Sequence, residues 1–116
     1  MTIQRFDTGP RMSKAVVNGN TVYLAGIVAD APKGKSMGEQ TKSILSQIDG
    51  FLTQAGTDKS KLLSANIWIT DMAKFADMNA VWDAWVSPGN TPARATVEAK
   101  LASPDYVVEI MVVAAR

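Results

Sequence analysis

The chain has neither cysteine nor histidine among its 116 residues. Disulfides, thiol nucleophiles and Ser-His-Asp triads are therefore excluded. The usual zinc sites go with them, because only carboxylates remain as ligands, and the scattered Asp and Glu residues form no metal-ligand cluster. No Ser or Thr is followed three residues later by Lys, so a dyad at that spacing is missing too. Charge of one sign is equally scarce: the net charge is +1 and there is no basic block, so composition implies neither a nucleic acid nor a membrane as partner. No apolar run approaches a membrane span and no signal-peptide pattern opens the chain, which makes a cytoplasmic location the default expectation. In an enzyme of this composition, proton transfer near neutral pH falls to a tuned carboxylate, a Lys or Tyr, or water.

Apolar residues make up 47% and charged residues 20%, which is ordinary for a globular protein. The length suits one domain spanning 1–116, able to bury roughly 65% of its unfolded surface. Thr2 to Phe6 reads as a short strand, and Asp7-Thr8-Gly9-Pro10 as a turn. Ala15 to Val17 and Thr21 to Ala25 flank Asn18-Gly19-Asn20, the clearest hairpin signal in the chain. Gly26 ends or bulges the second of these strands and lets something approach its backbone closely. Ser36 and Glu39 have capping-box spacing and open a helix with Thr41, Ile44, Leu45, Ile48, Phe51, Leu52 and Ala55 on one stripe, closed by Gly56. Gly34-Lys35-Ser36 has the ending of a phosphate-binding loop. Ala29 stands where that motif requires glycine, so the loop reads simply as the entry to the cap.

Leu63, Ala65, Ile67 and Ile69 alternate with Ser64, Asn66, Trp68 and Thr70, which predicts a strand with Trp68 turned from the core. Asp71 then caps a second helix carrying Phe75, Met78, Trp82 and Trp85 on its apolar side, ended by Ser87-Pro88-Gly89. The outline is ββαβαββ: an α+β sandwich with two helices on one face of a mostly antiparallel sheet. The final strand, Tyr106 to Ala115, is apolar on both faces except for Glu109. Two helices cover one face only, so self-association is the economical cover for the other.

A lone carboxylate among apolar neighbours needs a partner or a task. Glu109 is either a buried ion-pair member or a carboxylate that orients and deprotonates a water. In the preceding strand Ala93, Ala95, Val97 and Ala99 form one face, read as the core side, and Arg94, Thr96, Glu98 and Lys100 the other. Arg94 is either a surface charge paired with Glu98 or another acid, or a guanidinium that grips a carboxylate through two parallel N–H bonds. A hairpin pairing Leu101 with Tyr106 would put Arg94 and Glu109 on one face, about four residues or ~13 Å apart. One small molecule could not touch both in one chain, so the site is easier to build from two subunits.

Thr91-Pro92-Ala93-Arg94-Ala95-Thr96-Val97-Glu98, followed by Val108-Glu109-Ile110-Met111-Val112-Val113-Ala114, resembles the closing segment of the RidA (YjgF) family of reactive imine and enamine deaminases. The similarity extends in order and spacing through Asn20 to Gly26, Ala55-Gly56 and Asp71 to Trp85, nearly the whole chain. It implies a chorismate-mutase-like fold, a homotrimer with sites in the clefts between subunits, and no cofactor. The implied activity is that of a 2-iminobutanoate/2-iminopropanoate deaminase-like hydrolase acting on a small 2-imino acid to give a 2-oxo acid. Position by position, Arg94 falls on the family's carboxylate-binding arginine and Glu109 on its water-ordering glutamate. Thr96 falls where many members place a cysteine beside the substrate. Ala25 and Gly26 match the strand end whose backbone meets the ligand. The chain departs from the main branch in two places: Arg11, not Tyr, follows Gly9-Pro10, and Ile27, not Gln, follows Gly26. Arg11 and Ser13 are expected to fill the space of the missing phenol. A trimer that binds small carboxylates or proteins without turnover is the alternative function.

Overall fold

The computed structural model describes residues 2–116. Its strands are β1 (Ile3–Phe6), β2 (Ala15–Asn18), β3 (Thr21–Leu24), β4 (Ile27–Val28), β5 (Leu62–Ile69), β6 (Ala93–Glu98) and β7 (Val108–Ala115), with helices α1 (Met37–Gln54) and α2 (Phe75–Trp85). The sheet order is β1-β2-β3-β7-β5-β6, with β4 continuing beside β7. All pairings are antiparallel except that of β5 with β6. Both helices lie on one face, as the apolar patterning predicts.

Local chemistry accounts for the elements. Asn18 pairs with Thr21, leaving Gly19 and Asn20 as a two-residue turn, and Gly19 takes the positive φ of 62° that such a turn requires. At the start of α1 the Ser36 hydroxyl accepts from the Glu39 N–H, and the Glu39 carboxylate accepts from the Ser36 N–H at 3.0 Å. The helix then buries Ile44, Leu45, Ile48 and Leu52 against the sheet, each contributing about 1.5–3 kcal/mol of apolar burial. Thr41 and Gln40 are its buried polar residues, and Gln40 is only 1% exposed. Its amide donates to the carbonyls of Pro32, Lys35 and Asp105, and its carbonyl accepts from Val107 N–H at 3.1 Å. One side chain thus fastens the loop before α1 and the loop before β7 to the same helix. No helix among the described residues is long and apolar enough to cross a membrane.

Three expectations are corrected. A register shift between Leu62 and Ser64 rotates the start of β5, so Leu62 is buried and Leu63, expected in the core, is 51% exposed. Asp71 caps a 3-10 turn, Met72–Lys74, that leads into α2 without a break. The largest correction concerns β6 and β7, which do not form a hairpin. β7 pairs with β5 along its length, and β6 lies on the far side of β5, parallel to it, at the sheet edge. The β5–α2–β6 segment is a crossover unit, long enough to return β6 in the parallel direction. The stretch between β6 and β7 then carries the chain past β5.

Candidate functional site

Parallel pairing decides where Arg94 points. Ala65 stands beside Arg94, Ile67 beside Thr96 and Ile69 beside Glu98. Ala65, Ile67 and Ile69 are buried under the helices, so Arg94, Thr96 and Glu98 share the helix side of the sheet. Ala93, Ala95 and Val97 face the open side, the reverse of the expected orientation. The expectation failed because an edge strand beside an apolar open face satisfies the usual inside-outside rule the wrong way round.

Arg94 itself remains exposed. Its guanidinium carbon lies 5.3 Å from the centroid of the Trp82 ring and 5.9 Å from that of Phe75. Trp82 is 4% exposed and packed in the core, so the aromatic seat is rigid. Cation–π contact uses the flat faces of a guanidinium and leaves its edge N–H groups available. Glu98 is not the arginine's partner: its carboxylate accepts from the Met72 backbone N–H at 2.8 Å. Thr96 follows on the same strand face, and its hydroxyl oxygen is buried with no hydrogen-bond partner.

Glu109 is on the opposite face. In β7, Val108, Ile110, Val112 and Ala114 are buried under the helices, while Glu109, Met111 and Val113 are half-buried on the open side. Glu109 lies between Val28 of β4 and Trp68 of β5. Trp68 is half-buried there, turned from the helices as expected. Between the pairs Tyr23–Val113 and Ile27–Ile110, β3 and β4 contribute Leu24, Ala25 and Gly26 where β7 contributes only Met111 and Val112. This bulge places Gly26 directly beneath the Glu109 carboxylate. A Cβ on residue 26 would overlap Glu109 Oε2 and come within 3.1 Å of its Cδ. The backbone approach that the glycine foretold is thus an approach by Glu109 itself. Ile27, the neighbouring departure from the family pattern, is buried in the core.

Ala25 N–H donates to the Lys14 carbonyl at 2.9 Å, which fastens the loop between β1 and β2 beside the bulge. Ser13, half-buried, precedes Lys14 and shares a 3.0 Å hydrogen bond with the Thr8 hydroxyl. Arg11 is exposed at the outer part of this loop. Ala25, Gly26 and Glu109 therefore gather at one end of the open face, with Ser13 one residue before the Lys14 carbonyl that Ala25 bonds. Arg94 and Thr96 do not join them. Along the strands Arg94 and Glu109 are three residues apart, about 10 Å, and two strand spacings, about 9.5 Å, separate them across the sheet. The inferred shared face is overturned, and the separation within one chain is larger than the sequence suggested. Among the described residues no three Asp or Glu side chains lie close enough together to hold a metal ion.

Phe75 and Trp82 are neighbours of Arg94 that its own segment does not reveal. Phe75, Asn79 and Trp82 lie on one stripe of α2, but only the true pairing of β6 brings Arg94 over that stripe.

Two helices on one face of a mixed, mostly antiparallel sheet, with a bulged strand under a lone carboxylate, define an α+β sandwich of YjgF type. The chain belongs to the YjgF (RidA) family: the family model described as Endoribonuclease L-PSP matches residues 2–116. It is 43% identical over 114 residues to a RutC family protein of Haemophilus influenzae, covering 98% of each chain. It is 44% identical over 115 residues to the RutC family protein YoaB of Escherichia coli K12, covering 99% of each. A crystal structure of a YjgF-family member from Neisseria meningitidis superposes with a TM-score of 0.96 at 46% identity, over 100% of this chain and 96% of that one.

Proposed function

We propose that the protein hydrolyses small 2-imino and enamine acids to 2-oxo acids and ammonia, in clefts formed between the subunits of a homotrimer. The observation that carries this reading is the Arg94 guanidinium, which lies on two aromatic faces with its edge free while the nearby Glu98 carboxylate is engaged elsewhere. Such an arginine suits a substrate carboxylate better than a structural ion pair. Glu109 supplies the second requirement, a carboxylate held over a glycine on an apolar face. The two lie on opposite faces of one sheet, so Arg94 and Thr96 of one subunit meet Glu109, Gly26 and Ala25 of the next. Arg11 and Ser13 border the second half. The apolar open face, with Tyr23 47% and Val97 49% exposed, supplies the surface for assembly.

In this reading Arg94 holds the carboxylate and so positions the imine carbon. Glu109 accepts a proton from water as the water oxygen bonds to that carbon and the imine nitrogen takes up a proton. The carbinolamine nitrogen then takes up a proton from protonated Glu109, and ammonia leaves as the C–N bond breaks and the hydroxyl proton passes to the Glu109 carboxylate or to water, leaving the 2-oxo acid. Imines of this kind hydrolyse readily, so orienting one water and one carboxylate is a sufficient catalytic task. The chemistry calls for no cofactor. With a net charge of +1 and no basic aromatic platform, we expect no nucleic-acid substrate.

Release of ammonia or 2-oxo acid from freshly generated 2-iminobutanoate tests the proposal. A rate above the uncatalysed background supports it. Binding of 2-oxobutyrate without turnover would assign the same pocket to a non-catalytic carboxylate-binding trimer.

A further inference from the structure

Among the described residues, two buried side-chain oxygens have no hydrogen-bond partner, Asn79 Oδ1 and Thr96 Oγ1. Buried amides and hydroxyls without partners are uncommon, and leaving one unpaired costs about 1–3 kcal/mol. Both sit on the elements that carry Arg94 or the rings it lies over. Thr96 is two residues beyond it on the same face of β6. Asn79 occupies the helical stripe between Phe75, four residues before, and Trp82, three residues after. Those are the two rings beneath the guanidinium.

We infer that Asn79 is a positioning residue for Arg94: its side-chain carbonyl accepts one N–H of the guanidinium when the arginine turns an edge toward a bound carboxylate. The inference rests on the carboxylate-binding reading of Arg94. Aromatic faces fix the plane of a guanidinium but leave it free to rotate within that plane. Bidentate recognition requires that rotation to be fixed as well. An acceptor on the stripe between the two rings supplies the missing constraint. It also explains why a polar side chain occupies an otherwise apolar helix face, since leucine there would pack without an unpaired oxygen. Asn79 donates no proton to the reaction and touches no reacting atom.

The test compares wild type with Asn79→Leu and Asn79→Gln. Leucine keeps the volume and removes the acceptor; glutamine keeps a neutral amide acceptor. Calorimetric titration with 2-oxobutyrate is expected to show binding about tenfold weaker for Asn79→Leu and closer to wild type for Asn79→Gln. In turnover, KM should rise for Asn79→Leu with kcat within about twofold. Its Tm should stay level or rise, because the unpaired buried oxygen is gone, whereas a residue needed only for packing or stability would lower Tm and leave the KM-to-kcat balance alone. Wild-type affinity in Asn79→Leu overturns the inference. So does equal loss in both variants, since the acceptor would then be irrelevant. A wild type that binds 2-oxobutyrate but does not hydrolyse imines overturns the hydrolase reading only, and the comparison of affinities still decides the role of Asn79. A wild type that binds no 2-oxo acid overturns both.

Discussion

Glu109 and Gly26 occupy complementary space: the carboxylate of the first fills the volume a Cβ on the second would need. The β3–β4 bulge and the lone acid of β7 are therefore parts of one device. Gly26→Ala is expected to displace Glu109, because the obstructing group is the far end of a flexible side chain and can swing away. Imine turnover should fall about as far as when Glu109 itself is removed, on the order of 10²–10⁴-fold. The loss in Gly26→Ala combined with Glu109→Gln should be far from additive, as expected for two residues in contact. Additive losses, read from the four turnover rates of a double-mutant cycle, would separate the two functionally.

Glu109→Gln alone should retain 2-oxo acid binding, since the change is nearly isosteric and the proposed site holds the carboxylate through Arg94. Hydrolysis should slow by roughly 10²–10⁴-fold, the usual loss on removing a positioned base. Unchanged turnover would leave Glu109 with a structural role only.

Arg94→Ala should abolish binding and turnover together. A charge-assisted hydrogen bond contributes about 1.5–3 kcal/mol, so loss of a bidentate pair should weaken binding by ~10²-fold or more. The fold should survive, because Arg94 is exposed and its removal uncovers the faces of Phe75 and Trp82 without opening a core cavity. Arg94→Lys should recover only part of the affinity, because an ammonium lacks the flat fork and stacks less well on the two rings. Calorimetry with pyruvate and 2-oxobutyrate measures all three proteins. Wild-type affinity in the alanine variant would return the arginine to an ordinary surface charge.

The sequence disclosed what depends on local pattern. Ser36 and Glu39 announced the start of α1, Asn18-Gly19-Asn20 the hairpin, and the alternation in β7 placed Glu109 on a face apart from Val108 and Ile110. Pairing between distant segments was less legible. β6 and β7 are neighbours in sequence, and nothing in Ala93–Glu98 distinguishes an antiparallel partner from a parallel one. The choice is made by α2, whose packing returns the chain on the far side of β5. Once β6 moved, Arg94 changed face and acquired Phe75 and Trp82 as neighbours, neither of which its own segment reveals. Family resemblance singled out Arg94 and Glu109 as candidates without needing that pairing, because it matches positions and not contacts.

The capping box gives a prediction in pH. The backbone N–H of Ser36, then its side chain, holds the Glu39 carboxyl below its ordinary value of 4.5. A depressed folded-state pKa contributes stability that is present above the unfolded value and lost as pH falls through the folded one. Glu39→Gln should therefore have a lower Tm than wild type near neutral pH, and the difference should shrink as pH falls below about 4.5, the unfolded-state reference. Ser36→Ala should remove only the smaller, side-chain part of that pH dependence, because residue 36 keeps the backbone N–H that donates to Glu39. A Tm gap that stays constant from pH 6 to pH 3 would show that the charge on Glu39 plays no part in the cap.

Assembly is the last expectation, and the two half-sites depend on it. One protomer cannot bring Arg94 to Glu109, because β5 and the thickness of the sheet stand between them. The open face presents Tyr23 and Val97 as exposed large apolar residues, with Trp68, Met111 and Val113 half-buried among them. Contiguous apolar surface of this kind marks an interaction site. Light scattering at micromolar concentration should give three times the chain mass. Val97→Glu puts a charge on that face, on the side of β6 away from Arg94, and should shift the population toward monomer. Far-ultraviolet circular dichroism should stay unchanged, because Val97 makes no part of the core. Turnover should fall in proportion to the trimer that remains and should recover as protein concentration is raised. If the wild-type protein scatters as a monomer and still hydrolyses imines, the site must be completed within one chain, and the division between Arg94 and Glu109 argued from the strand order would be wrong.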